Sequence, residues 1–155
     1  MTLQEKIEFI KSTTPRLLED LRAKSSPWWG SMSAQHMVEH LTMGLQNSIG
    51  KIHFPLATPA EKLEAAKEYL MSDKEFKQGA KHPNLGESPE PFKTKNLIEA
   101  YETFVAAINE FFEFFKANPG KTTLHPSFGE LNYEEWVHLH YKHFMHHLKQ
   151  FDLMK

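Results

Sequence analysis

Residues 94–117 read TKNLIEAYETFVAAINEFFEFFKA. Leu97, Tyr101, Phe104, Ile108, Phe111 and Phe115 recur at steps of four, three, four, three and four, which is one face of an α-helix. No β-strand keeps such a rhythm, because its side chains alternate with a period of two. Asn118-Pro119-Gly120 stops the run, with proline unable to continue the helix and glycine suited to the residue just past its end. A helix this long with a wide aromatic stripe needs partner helices to cover it, so the chain reads as all-α.

The flanks supply those partners. Downstream, Asn132 and Glu135 have the spacing of a capping box and open a last helix, predicted over about 132–152. Upstream, Leu3, Ile7, Ile10, Leu17 and Leu21 mark a first helix over about 3–24. Pro15 lies inside it, either as a kink or at the first position of a second short helix capped by Thr14. Ser33 is a natural N-cap for a second helix over about 33–50, with Met37, Val38, Leu41 and Leu45 on its apolar side. Thr58-Pro59-Ala60-Glu61 predicts a minor helix over about 59–71. From 72 to 92 the chain carries Gly79, Pro83, Gly86, Pro89 and Pro91 without periodicity and should be irregular. No segment alternates like a strand. Four principal helices of this kind suggest a four-helix bundle, with the minor helix in the connection between the second and third.

Length and charge bound the function. One domain over residues 1–155 is the natural division. A composition of 40% hydrophobic and 25% charged residues excludes a disordered chain. Lys and Arg number 18 against 20 Asp and Glu, a formal net charge of −2, so nothing broad attracts nucleic acid or an anionic membrane. The absence of cysteine removes disulfides, thiolate metal sites and cysteine nucleophiles. No stretch approaches the ~20 apolar residues of a membrane span. The start, Met1-Thr2-Leu3-Gln4-Glu5-Lys6, lacks the basic and apolar regions of a leader, and the expected compartment is the cytoplasm.

The 10 histidines carry the chemistry, and six of them fall between His125 and His147. At about 100° per residue, His140, His143, His147 and Trp136 lie within about 60° of one another, beside the apolar stripe of the last helix. His138 falls about 180° from His147 with Lys142 and Lys149, a solvated face by this reckoning. On the second helix His36, His40 and Asn47 cluster in the same way at the edge of the buried arc. Two helices thus each offer an i, i+4 histidine pair, His36/His40 and His143/His147, at the rim of a shared core. Two stacked imidazoles from one helix and a third from its neighbour can bind one divalent ion and leave a position open for water or substrate. A single such pair is common by chance, and a histidine at an apolar rim often only satisfies hydrogen bonds. Two pairs in phase on separate helices favour the metal. Imidazole suits nickel and zinc alike. Glu39 points about 100° away from His40, so no carboxylate accompanies the histidines as a general base.

Two segments carry a resemblance. Trp29-Gly30-Ser31-Met32-Ser33-Ala34-Gln35-His36-Met37-Val38-Glu39-His40-Leu41 resembles the start of the second helix of DinB-like proteins. His125-Pro126-Ser127-Phe128-Gly129-Glu130-Leu131, with Glu134-Glu135-Trp136 and the run from Leu139 to Phe151, resembles the last loop and helix of one DinB-like subfamily of unassigned function. The resemblance implies the DinB/YfiT-like four-helix bundle, often homodimeric. It implies a divalent metal, nickel or zinc, on one histidine of the second helix and two of the last: here His40, His143 and His147. His140 in place of His143 is the competing assignment. His36, Asn47, Trp136 and His140 would line the pocket or orient the ligands. Better-studied members of the superfamily are metal-dependent transferases or isomerases using a low-molecular-weight thiol, others are described as metal-dependent hydrolases, and relatives of the subfamily are linked to phenylacetate (oxepin-CoA) catabolism. Relatives often carry Asp where this chain has Met145.

Three readings compete: a metal-dependent enzyme on a small molecule, a bundle that binds metal or ligand without turnover, and a structural bundle whose histidines only hydrogen-bond. Helical phase further predicts that Leu97, Phe104, Ile108, Phe111, Phe144 and Leu148 are buried and His138 exposed.

Overall fold

The computed structural model describes residues 1–79 and 90–155. The chain is mostly helical. A first rod is built from α1 (Leu3–Glu8), a π-helical segment (Phe9–Thr13) and α2 (Thr14–Leu18). Then come α3 (Ala34–Ser48), a 3-10 turn (Ala60–Lys62) leading into α4 (Leu63–Met71), α5 (Leu97–Ala117) and α6 (Tyr133–Gln150). The expected irregular stretch is irregular at 72–79 and 90–92; residues 80–89 lie outside the described residues.

Caps explain where the helices begin. Thr2 and Glu5 close a capping box on α1, and Asn132 and Glu135 close one on α6. The hydroxyl of Ser33 accepts the backbone N–H of His36, and the Asn96 side chain accepts that of Glu99. The long third helix therefore starts at Leu97 rather than at Thr94.

Pro15 does not end the first rod, which runs on through α2 to Leu18. The backbone N–H and the hydroxyl of Thr14 both turn to the carbonyl of Phe9, five residues back, the hydroxyl at 3.0 Å. One widened turn absorbs the missing proline N–H, as π-bulges do. The rod ends at Leu18, short of residue 24. Beyond it, the Arg22 guanidinium donates to the carbonyls of Glu19 and Leu21, and Ser25 Oγ accepts the N–H of Arg22. Thr58 does not cap the minor helix. Its hydroxyl donates to the Ser127 carbonyl at 2.8 Å and ties this loop to the one before α6.

That second loop holds what the sequence concealed. Thr123–His125 and Gly129–Leu131 form a two-stranded antiparallel hairpin, β1 and β2, pairing Thr123 with Leu131 and His125 with Gly129. Strands of three residues are too short to show alternation. The hairpin sits on α3, where the Thr123 hydroxyl donates to the Ser48 carbonyl.

The core lies between α3, α5, α6 and the first rod. Phe104, Ile108, Phe111, Phe144 and Leu148 are buried as the periodicity predicts, whereas Leu97, in the first turn of α5, is only half-buried. α3 packs chiefly on α5, and α6 touches α3, α4 and the first rod. The contact between α3 and α6 is antiparallel: Ser48, at the end of α3, meets His140, and His40 meets His143 and His147 further along α6.

The phase argument fails on one face of α6. His138 and Lys142 are buried, not solvated. The α4 helix and the residues after it cover that face. The Lys142 ammonium donates to the carbonyls of Tyr69 (3.2 Å), Leu70 (2.9 Å) and Ser72 (3.3 Å), and lies over the rings of Tyr69 and Phe76. A cation thus closes the carbonyl end of α4, where the helix dipole favours positive charge. Lys149, half-buried, pairs with Glu75 on the same segment.

Candidate metal centre

Three imidazoles meet where α3 crosses α6. His40 comes from α3; His143 and His147 sit one turn apart on α6. Their rings are mutually edge-on, with centroids 4.8, 4.9 and 4.7 Å apart. His143 Nε2 lies 2.9 Å from His40 Nε2 and 3.1 Å from His147 Nε2. The three ligand atoms all fall within 4.8 Å of one another. The His143 ring lies over Gly44, where an added Cβ would stand 3.5 Å from Nδ1, in ordinary van der Waals contact.

The donor set fits a divalent ion. With metal–nitrogen bonds of about 2.0–2.1 Å, adjacent ligand nitrogens are about 2.9 Å apart at a right angle and about 3.3 Å apart at a tetrahedral one. The two short separations here fall in that range. His147 is buried, while His40 and His143 keep partial exposure. Burial, then the neighbouring His147, His40, His140 and His146, hold His143 well below the usual imidazole range. Burial, then His40, do the same for His147. Both rings are neutral at pH 7, the state a metal requires.

The family profile of DUF1569, described as "Protein of unknown function", matches residues 9–154. The chain belongs to the DUF1569 family. No curated protein and no solved structure matches it.

In this DUF1569 chain the other singled-out residues divide by depth. His140 is fully buried. Its Nε2 donates to Ser48 Oγ at 3.0 Å, because that hydroxyl already donates to the Leu45 carbonyl at 2.6 Å. The ring stacks on Trp136 and Phe144, and burial, then the nearby His125, push it down to about 3. Trp136 is fully buried against it. Asn47 donates to the Ile52 carbonyl at 3.0 Å and closes the turn after α3. His36 lies one turn before His40. It receives the Ser33 hydroxyl on Nδ1 and binds the Glu90 carbonyl through Nε2 at 2.6 Å, with Phe92 stacked on its ring at 4.2 Å. The hydrogen bonds of His36, His140 and Asn47 lead to Ser33 and Glu90, to Ser48 and to Ile52.

Glu39 is turned away from the centre, as its phase predicts. Its carboxylate accepts the backbone N–H groups of Lys93 and Thr94 and the Thr94 hydroxyl, which fastens the approach to α5 onto α3. Half-buried His146 stands beside His147 and edge-on to the Trp29 ring, 5.3 Å between centroids.

One residue of the centre escaped the sequence reading. Gln150 Oε1 lies 2.6 Å from His147 Nδ1, and Gln150 Nε2 donates to the Trp29 carbonyl at 2.8 Å. A glutamine three residues after a histidine in a helix carries no distinguishing pattern. The signal available was the i, i+3 spacing, which puts both side chains on one face.

Proposed function

We propose that this chain is a DinB-like four-helix-bundle metalloprotein that binds one nickel or zinc ion through His40, His143 and His147 and acts as an enzyme on a small molecule. The reaction is hydrolysis or transfer involving a low-molecular-weight thiol. The observation that carries the reading is the convergence of three imidazoles, two of them from one helix face, within metal-ligand distance of one another. A divalent ion supplies Lewis acidity there and lowers the pKa of a nucleophile. The chain's own residues do the rest: Gln150 holds His147 from behind, and His40 and His143 complete the set.

One observation favours a second reading, a metal- or ligand-binding protein without turnover. Glu39 is the acidic residue immediately before His40, and its carboxylate is committed to Lys93 and Thr94. It does not serve as a general base, which weakens hydrolysis more than thiol transfer. A cytoplasmic setting is proposed with this activity; no helix among the described residues is long and apolar enough to cross a membrane.

The test is metal content. Purified without affinity resin or chelator and resupplied with zinc and nickel, the protein should hold one ion per chain by mass spectrometry of the metal. His40→Ala, His143→Ala and His147→Ala should each abolish stoichiometric binding. His146→Ala and His138→Ala should not. A His143 variant that keeps its metal beside a His140 variant that loses it would overturn the ligand assignment. Turnover separates the two readings: loss of a thiol-dependent or hydrolytic activity on chelation supports the enzyme. A homodimer, also proposed, requires light scattering to report twice the 18.0 kDa chain mass.

A further inference from the structure

We infer that Gln150 is a positioning residue that sets the tautomer of His147, held in its working orientation by the Trp29 carbonyl. The inference rests on the metal reading above and extends it to residues outside the ligand set. A backbone carbonyl can only accept, so the side of the Gln150 amide that faces Trp29 at 2.8 Å is the nitrogen. The oxygen must then face His147, and it lies 2.6 Å from Nδ1. An amide oxygen can only accept, so Nδ1 carries the imidazole proton. A neutral imidazole has one such proton. His147 Nε2 is left with its lone pair, aimed at the point where His143 Nε2 lies 3.1 Å away.

The amide is itself held. Gln150 is buried, and its backbone carbonyl accepts the Trp28 N–H at 2.7 Å. The link between the first rod and α3 therefore grips the end of α6 twice, through Trp28 and Trp29. Gly30 follows with φ +81°, a left-handed conformation, and a Cβ there would stand 3.2 Å from Gln150 Nε2. The glycine both turns the chain away and leaves the amide its space.

Only an amide performs both tasks. Methionine could do neither. A carboxylate would accept from His147 but could not donate to Trp29. Glutamine joins a ligand to backbone and adds no charge to a group of three crowded imidazoles. A hydrogen bond from the far nitrogen of a metal-binding histidine also fixes the ring's rotation and raises its basicity; loss of such partners typically costs 10–100-fold in metal affinity.

The experiment uses the full chain, labelled with ¹⁵N in histidine, with NMR read on the metal-free protein and zinc affinity read by competition with a chromophoric chelator. In the wild type, His147 should show the Nδ1–H tautomer. Gln150→Met should populate the Nε2–H tautomer and weaken zinc about 10–100-fold. Gln150→Glu keeps an acceptor for Nδ1–H and should keep the tautomer, although it cannot donate to Trp29. Should Gln150→Met not fold, Gly30→Ala, which crowds the amide from the other side, should shift the same tautomer and weaken zinc. A wild-type His147 in the Nε2–H form, unchanged zinc affinity in Gln150→Met, or a Gln150→Glu variant in the Nε2–H form would each overturn the inference. The tautomer is read without metal, so a chain that bound no zinc would end the metal reading while this assignment was still judged.

Discussion

Acid should unfold this protein through His140, and the size of the effect follows from its burial. The ring is enclosed by Trp136, Phe144 and Phe111, and its one described hydrogen bond leads to Ser48. Removal from water, then His125, lower it from 6.5 to about 3. The sign is fixed: the folded value lies below the unfolded one, so between them the unfolded chain binds the extra proton. The stability is intact above about pH 6.5 and is lost as pH falls toward about 3. Each unit in that window costs about 1.4 kcal/mol, so moving from pH 8 to pH 5 should cost about 2 kcal/mol through this residue alone. His140→Phe keeps the ring stack and discards the titration. Its cost at pH 8 should be about 1 kcal/mol, the usual worth of one hydrogen bond, since the Ser48 hydroxyl still donates to Leu45. Urea unfolding of both proteins at pH 8 and pH 5, with chelator present, makes the comparison. The other buried histidines contribute equally to both chains and cancel. The variant should lose about 2 kcal/mol less than the wild type on acidification. An equal loss in the two proteins would show that His140 is protonated or rehydrated in the folded state, and the argument from burial would fall.

Further outcomes follow from the same packing. Phe104→Ala and Phe111→Ala, both at fully buried sites, should each cost about 3–5 kcal/mol by urea unfolding; a cost near zero at both would mean that the core face of α5 is misassigned. Lys142→Met should cost about 2–4 kcal/mol, because three carbonyls at the end of α4 lose their donor in a dry setting, and hydrogen exchange should report the loosening at Tyr69–Ser72. Saturating zinc should raise the midpoint of thermal unfolding, by about 2.7 kcal/mol of stability at a hundredfold excess over Kd, and His147→Ala should abolish the rise. Because His143 and His147 are held below the usual imidazole range, wild-type zinc binding should persist below the ~6.5 of a free imidazole before protons displace the ion.

The helices were legible because each one states its phase and its start in residues that act locally. A four-three run such as Leu97 to Phe115 needs no knowledge of the rest of the chain, and Ser33, Asn132 and Glu135 bind backbone groups within three positions of themselves. The three clustered imidazoles were legible for the same reason. His143 and His147 share a helix face by spacing alone, and the resemblance to DinB-like proteins, which rested on local runs of sequence, supplied His40. What stayed hidden depends on contacts far apart in the chain. Lys142 looks solvated until α4, more than 70 positions earlier, lies across it with three carbonyls to satisfy. His138 is covered by the same segment. Gln150 acquires its role from the Trp29 carbonyl, 121 positions away. Thr58 abandons the minor helix for the Ser127 carbonyl, 69 positions on. For Lys142, Gln150 and Thr58, a polar group that helical phase leaves to solvent or to its own helix is claimed by a backbone carbonyl from another part of the fold. Backbone carbonyls leave no trace in residue identity. A reading by pattern therefore finds the imidazoles that would hold a metal and misses the amide that orients one of them.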